Sequence, residues 1–291
     1  MMKEILSNKI IVATIIISLV IVTALIIFLV FNRAFRIRRK PKRKALARRL
    51  KATIGNAQTI GTREKQDDSF ATDIMDYGIL AVVADGIGGY INGNIASSIA
   101  VETYLDEFQK CDVTGNIRHF FNKSAVLSNE RIRDEFGEAK GGTTLVAVVI
   151  ENNQMHWTSV GDSNIAVFRD GRLISVNRKE NYKNWLEDQY YAGAISKEDA
   201  MDDRQGKHLV NYIGYDGFKM TDETEYPVLL QKNDKIIVYS DGVELLSQIE
   251  LEKILSKRAT AQKIAETIID ATKQKQARNK DNATVIVISL K

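Results

Sequence analysis

The pattern of apolar and polar positions divides the chain into two unlike parts. From Ile10 to Phe31 it reads IIVATIIISLVIVTALIIFLVF, 22 residues in which Thr and Ser are the only polar side chains. At about 1.5 Å per helical residue such a run spans roughly 30 Å, the thickness of a bilayer core. A cleavable signal peptide has a shorter apolar core and a small-x-small cleavage site after it, and neither is present. The run predicts a transmembrane helix over 10–31, preceded by an extracytoplasmic tail over 1–9.

From about Thr53 the pattern becomes that of a soluble domain. Short runs rich in Val and Ile predict strands: GILAVVAD (78–85), TTLVAVVI (143–150), MHWTSVGD (155–162), NIAVFRD (164–170), KIIVYSD (235–241) and ATVIVISL (283–290). Two helical stretches, Asn94–Lys110 and Asn116–Phe136, lie between the first two, and a third, about Leu251–Gln274, precedes the last. Strand pairs alternating with helix pairs predict an α+β domain over 52–291, two packed sheets with helices outside.

Charge sets the orientation. Lys3 and Lys9 are the basic residues before the apolar run, whereas NRAFRIRRKPKRKALARRLK (32–51) follows it. The positive-inside rule puts this linker and the domain beyond it in the cytoplasm. The linker is also suited to attraction by anionic membrane lipid, although a topology signal alone accounts for it equally well. The adjacent span argues against nucleic acid as its partner. The single cysteine, Cys111, excludes an internal disulfide and a Cys-based zinc site. His119, His156 and His208 are scattered without metal-ligand spacing. Any metal site therefore leans on carboxylates, which select hard cations such as Mg²⁺ or Mn²⁺.

Those carboxylates recur where strands end. Asp85, Asp162, Asp241 and Asp281 each sit beside Gly, Ser or Asn, and Asp67-Asp68 adds a pair near the domain start. One Asp-Gly is an ordinary turn. Here AVVAD and IIVYSD run directly into the acid, and central strands of a sandwich converge at one end. Clustered anions repel and lose solvation unless cations sit among them, so the set points to a multi-cation site.

The segments GTREKQDDSF (61–70), LAVVADGIGGY (80–90), GGTT (141–144), VGDSNIAVF (160–168), YSDGVELL (239–246) and DNATVIVI (281–288) resemble, in order, the successive motifs of the type 2C metal-dependent protein serine/threonine phosphatases, in their bacterial form. The resemblance implies a four-layer α-β-β-α sandwich and a hydrolase that uses two or three Mn²⁺ or Mg²⁺ to activate a water against phosphoserine or phosphothreonine. It implies Asp85 as a bridging ligand, the Gly86 carbonyl on one of the metals, and Asp241 and Asp281 completing the first shell. Asp67 and Asp68 match the acidic pair that coordinates partly through water, Asp162 the ligand of a third, weaker metal, and Arg63 the phosphate-binding arginine. The bland alternative for Arg63 is a surface salt bridge, and for Asp162 the cap of a hairpin turn between strands 155–162 and 164–170. The implied partners are phosphorylated proteins, among them a serine/threonine kinase and its substrates. Alternatives are a partner-switching phosphatase of the same superfamily and an inactive membrane adaptor that binds phosphoproteins; the intact acids argue against the latter.

Some positions depart from that pattern. Ile87 stands where some members carry a histidine proposed to protonate the leaving group, Asn164 replaces a common arginine, and Asp67 stands where Glu or Gln is more usual. Gly88 and Gly89 suit a tight turn beside the site, and Thr143 and Thr144 suit structural packing. The polar stretch Asn177–Tyr212 resembles a helical flap bordering the cleft. Trp185, Tyr190 and Tyr191 within it suggest a small satellite core. His156 suits packing in a strand, and His119 and His208 carry no signal beyond ordinary helix or flap positions.

Overall fold

The computed structural model describes residues 51–291 apart from 88–91, 111–115, 138–140, 202–205, 207 and 219–220. The expected span at 10–31, its tail and the linker up to residue 50 lie outside the described residues, as do Gly88, Gly89 and Cys111. Among the described residues no helix is long and apolar enough to cross a membrane.

β-Branched, alternating segments pair into two antiparallel sheets. One holds Ala52–Thr59 (β1), Asn164–Arg169 (β6), Arg172–Ser175 (β7), Lys235–Tyr239 (β10) and Ala283–Leu290 (β11), in the order β1-β11-β10-β6-β7. The other holds Asp68–Met75 (β2), Gly78–Asp85 (β3), Leu145–Glu151 (β4), Gln154–Val160 (β5) and Asp222–Glu223 (β8), in the order β2-β3-β4-β5-β8, with Val228–Leu229 (β9) also on β5. Strands β3, β4, β10 and β11 are central and apolar on both faces, as strands covered on both sides must be.

Three apolar layers follow from that double burial. Val83, Val146, Val148, Ile236 and Ile286 pack between the sheets. On the outer face of the β3 sheet, Leu80 and Val82 meet Tyr104 and Phe121 from helices Gly93–Lys110 (α1) and Ile117–Phe136 (α2). On the outer face of the β11 sheet, Ile237 and Val285 meet Leu255, Ile264 and Ile268 from Gln248–Leu255 (α5) and Ala261–Gln274 (α6). Each such side chain, fully buried, contributes about 1.5–3 kcal/mol. The order of layers is the expected α-β-β-α sandwich.

Three local expectations need correction. The single helix expected over 251–274 is two helices. Ser247 opens α5 with a capping box and Thr260 caps α6, so a turn intervenes. The stretch 177–212 contains Tyr182–Tyr191 (α3) and Lys197–Ala200 (α4), but its aromatics do not form a satellite core: Tyr182 stacks on Trp185, whereas Tyr191 is 81% exposed. Finally, 160–164 is not a hairpin. β5 pairs with β4 in one sheet and β6 with β10 in the other, so Gly161-Asp162-Ser163 is a crossover between sheets.

Candidate functional site

The sandwich topology gathers the strand-end acids at one edge. Asp85 closes β3 opposite Asp68, the first residue of β2. Asp241 follows β10, Asp281 precedes β11, and Asp162 lies in the crossover after β5. A cleft of about 470 Å³ is lined by Arg63, Asp67, Asp85, Gly86, Asp162, Asp241 and Asp281. Every residue picked from the sequence is thus in one place except Asp68, which lies just beneath, buried. Ile87 lines the same cleft. So do His208 and Tyr212 at the end of the flap segment; His208 had been given no role from the sequence.

The main chain around Asp85 is rigidly held. Thr144 N and Thr143 Oγ1 both donate to its carbonyl at 2.9 Å, and its own N–H donates to Thr144 Oγ1 at 3.2 Å. The two threonines are packed, as expected, but they also fix this carboxylate. Gly86 tolerates no side chain, because a Cβ there would lie 2.2 Å from the Gly93 carbonyl oxygen at the start of α1. The crossover is set by Gly161, at φ +91°, where a Cβ would strike Thr144 at 2.7 Å.

Two residues given no role by the motif reading, Asn282 within the last motif and Glu180 outside them all, organise the rest. Asn282, buried, accepts from Asp67 N at 2.7 Å and donates to the Ile60 and Lys65 carbonyls at 2.9 and 3.0 Å. It therefore ties the loop carrying Arg63 and Asp67 to the strand beginning beside Asp281. Glu180 accepts from Gly161 N at 3.1 Å and from Asn211 Nδ2, and its N–H donates to the Gly161 carbonyl at 2.7 Å. It clamps the base of the flap onto the crossover carrying Asp162. Both depend on partners far away in sequence, so no local pattern points to them. Asn164, in place of the expected arginine, donates to Glu244 at 3.1 Å, and Lys179 reaches the same carboxylate at 2.5 Å.

Electrostatically the cluster is under stress. Burial, opposed by the Thr284 and Ser240 hydroxyls and reinforced by Asp241 and Asp281, pushes Asp68 up to about 6. Burial, then repulsion from Asp68, Asp241, Asp162 and Asp281, holds Asp85 well above the carboxylate range. Burial and Asp241 raise Asp162 to about 6 against the pull of Lys179. Asp68 Oδ2 accepts from Ser240 at 2.7 Å, whereas its buried Oδ1 has no donor in hydrogen-bond geometry, the nearby Thr284 hydroxyl that eases its charge included. Arg63 Nη2 reaches Asp281 at 2.5 Å in a half-exposed pair. Among the described residues no group of three or more His, Cys, Asp or Glu side chains is spaced, as placed, to hold a metal ion. Spacing and donor chemistry are different properties. Arg63 and Ser240 hold two of the carboxylates toward protein partners, whereas the mutual repulsion and the unmet Asp68 oxygen belong to the cluster as a whole. Hard oxygen donors gathered without imidazole or thiolate ligands fit Mg²⁺ or Mn²⁺.

A pH dependence follows for the protein stripped of divalent ions. Asp68 and Asp162 have folded values near 6 against 3.8 for the free side chain, so between about pH 4 and 6 the folded state keeps protons that the unfolded chain has lost. Stability in chelator should therefore fall as pH rises through that window, with the full penalty present above about 6. Thermal melts in EDTA at about pH 5 and 7.5 check this, and added Mn²⁺ should raise the melting temperature more at the higher pH. A chelated protein that melts higher at 7.5 than at 5 would contradict it.

The model of the family described as protein phosphatase 2C matches residues 57–283. The chain is 28% identical over 234 residues to the serine/threonine phosphatase stp of Listeria monocytogenes, covering 77% of this chain and 89% of that one. Its fold is similar to that of the Streptococcus agalactiae serine/threonine phosphatase, with a TM-score of 0.73, 25% identity, and coverage of 83% of this chain and 100% of the other. It is similar in fold to the catalytic domain of the serine/threonine phosphatase PstP, solved with two manganese ions, at TM-score 0.66 and 20% identity over 83% of this chain and 99% of that domain.

Proposed function

Because the chain belongs to the protein phosphatase 2C family and is a protein serine/threonine phosphatase, we propose that it hydrolyses phosphoserine and phosphothreonine in proteins at the cytoplasmic face of a membrane, using Mn²⁺ or Mg²⁺ held by its strand-end aspartates. The observation that carries the metal reading is the convergence of partly buried, mutually repelling carboxylates above a buried Asp68 with an unmet oxygen. The membrane face rests on the apolar run at 10–31 and the basic stretch after it.

In this reading Asp85, the Gly86 carbonyl, Asp241 and Asp281 would hold the cations, with Asp67 and Asp68 assisting and Asp162 a candidate to hold a further, weaker one. Such cations, when bound, supply a water of lowered pKa and positive charge against the phosphoryl oxygens. The protein residues do the rest. Thr143 and Thr144 keep Asp85 from drifting. Ile87 gives the cleft an apolar wall with no proton to donate. Arg63, half exposed on Asp281, has the freedom to turn its guanidinium onto two phosphate oxygens. The flap selects the phosphoprotein from the rim of the cleft.

Arg63→Ala should weaken phosphopeptide binding and inhibition by inorganic phosphate by about 1.5–3 kcal/mol, the worth of a charge-assisted contact. Asn282→Ala frees the loop that carries Arg63, so its effect on binding should overlap with that loss. The double variant should bind little worse than Arg63→Ala alone. An unchanged Michaelis constant and unchanged phosphate inhibition in Arg63→Ala would remove Arg63 from the site. Fully additive effects would uncouple Asn282 from it.

A further inference from the structure

Strand register sorts charge to opposite ends of the β11 sheet. Asp241 and Asp281 stand at one end. At the other, Lys51 and Lys291 face each other, joined by main-chain hydrogen bonds of 3.2 and 2.8 Å. Lys235 pairs with Ser289, two residues from Lys291, so the three lysines share one face of the sheet. Further along, that face is covered by α5 and α6, for Ile237 and Tyr239 join the core beneath them. The Lys235 ammonium lies over the Phe168 ring at 5.2 Å. Exposed Lys232, Lys257 and Arg258 lie in the turns before β10 and between α5 and α6.

Within the β11 sheet the acids at this end do not balance them, although Asp76 and Glu151 stand at the same end of the neighbouring sheet. Asp234 is buried and held by Arg169 through contacts of 2.9 and 2.6 Å. Asp170 shares its tight turn with Arg172. Immediately before Lys51, residues 32–50 carry ten Arg and Lys and no Asp or Glu, and they follow the apolar run. In sequence, basic residues therefore follow that run without an intervening acid as far as Lys51.

We propose that this lysine end of the domain docks on an anionic phospholipid surface, which turns the aspartate cleft toward the aqueous side. The proposal rests on the reading of residues 10–31 as a membrane span. The magnitudes favour this orientation over its reverse. Eight residues of β11 at about 3.4 Å each separate the two ends by roughly 27 Å. Screening at physiological salt acts over only about 8 Å. The lysines therefore feel the lipid charge while the aspartates lie beyond its repulsion. Turned the other way, the acidic cleft would face a surface of its own sign. Docked by its lysine end, the enzyme takes phosphoproteins from solution rather than from segments lying along the bilayer.

The test is lysine acetylation footprinting of the full chain in lipid nanodiscs, read by mass spectrometry. With phosphatidylserine present, Lys232, Lys235 and Lys291 should label about threefold or more slowly than in neutral discs, and high salt should restore the rate. Lys65 and Lys280, at the cleft end, should label alike in both. In the variant Lys232→Glu/Lys235→Glu/Lys291→Glu, the remaining lysines of this end, Lys51 and Lys257, should lose the lipid-dependent protection they show in the parent, and turnover on a soluble phosphopeptide should stay at the wild-type value. Equal labelling in neutral and anionic discs overturns the proposal, as does protection that ignores lipid charge. A chain that fails to co-purify with discs refutes the membrane span instead. The same footprint with phosphatidylserine vesicles added then reads the lysine surface alone, and absence of protection there overturns it.

Discussion

Asp85→Asn is expected to lower turnover by about a thousandfold or more, because it removes the central charge of a cluster worth several kcal/mol in the transition state. Asp241→Asn should behave in the same way. The substitution keeps the side-chain shape and leaves the main-chain bonds to Thr143 and Thr144 intact. It also removes a buried charge that the fold holds only under strain, since burial and four neighbouring aspartates all oppose ionisation of Asp85. In chelator the variant should therefore melt no lower than the parent, and it should melt higher once the pH exceeds the ordinary carboxylate range, where the parent carries the cost of Asp85. Loss of activity beside unchanged or increased metal-free stability separates a ligand from a structural residue, whose replacement would lower both. Wild-type turnover at saturating Mn²⁺ in either variant would contradict the assigned metal site.

Asp162→Ala is expected to reduce turnover by about a hundredfold, comparable to the loss of one group that assists proton transfer or its charge, while the melting temperature changes little. The structure sharpens this contrast. The crossover is held by Gly161, by the Glu180 clamp and by Asn164 Nδ2 on the Asp162 carbonyl at 3.4 Å, rather than by the Asp162 carboxylate. A hairpin cap would have cost about 1 kcal/mol on removal, but no hairpin exists here. The carboxylate instead shares the cleft with Asp85 and Asp241 and is raised to about 6 by burial and by Asp241. Removing it relieves repulsion and leaves the tighter ligands in place. Turnover measured against Mn²⁺ concentration, beside a thermal melt, distinguishes the two roles. Normal turnover with a clearly lower melting temperature would leave Asp162 with a purely structural part.

How much of this was legible beforehand depends on where the information lies along the chain. Strands β3 and β11 were read to the residue, because central strands covered on both faces are continuous apolar runs with sharp polar ends. β1 and β2 were missed: ATIGNAQT and DSFATDIM alternate weakly and carry Gly, Asn and Asp, so their strand character comes from pairing with β11 and β3. Asp85 and Asp241 were legible because apolar runs lead directly into them, Asp162 and Asp281 because they flank such runs, and Asp67 and Asp68 through the motif resemblance alone. The hairpin offered as the bland alternative at Asp162 fails because two strands a few residues apart look alike in sequence whether they pair or change sheets. Asn282 and Glu180 were not legible, since their partners at Ile60, Lys65, Gly161 and Asn211 are brought to them only by the fold. His208 was passed over for the same reason: its place in the cleft is fixed by the return of the flap, not by its neighbours in sequence.

The central claim is that the aspartate cleft is a divalent-metal site that cleaves phosphate from serine and threonine. It is tested most directly by phosphate release from phosphothreonine and phosphotyrosine peptides as Mn²⁺ is titrated into chelator-treated protein. The account predicts no release in chelator, a saturable rise with Mn²⁺ on the phosphothreonine peptide, little on phosphotyrosine, and a flat line for Asp85→Asn. Release from phosphothreonine that persists in chelator, or that survives undiminished in Asp85→Asn, would contradict it.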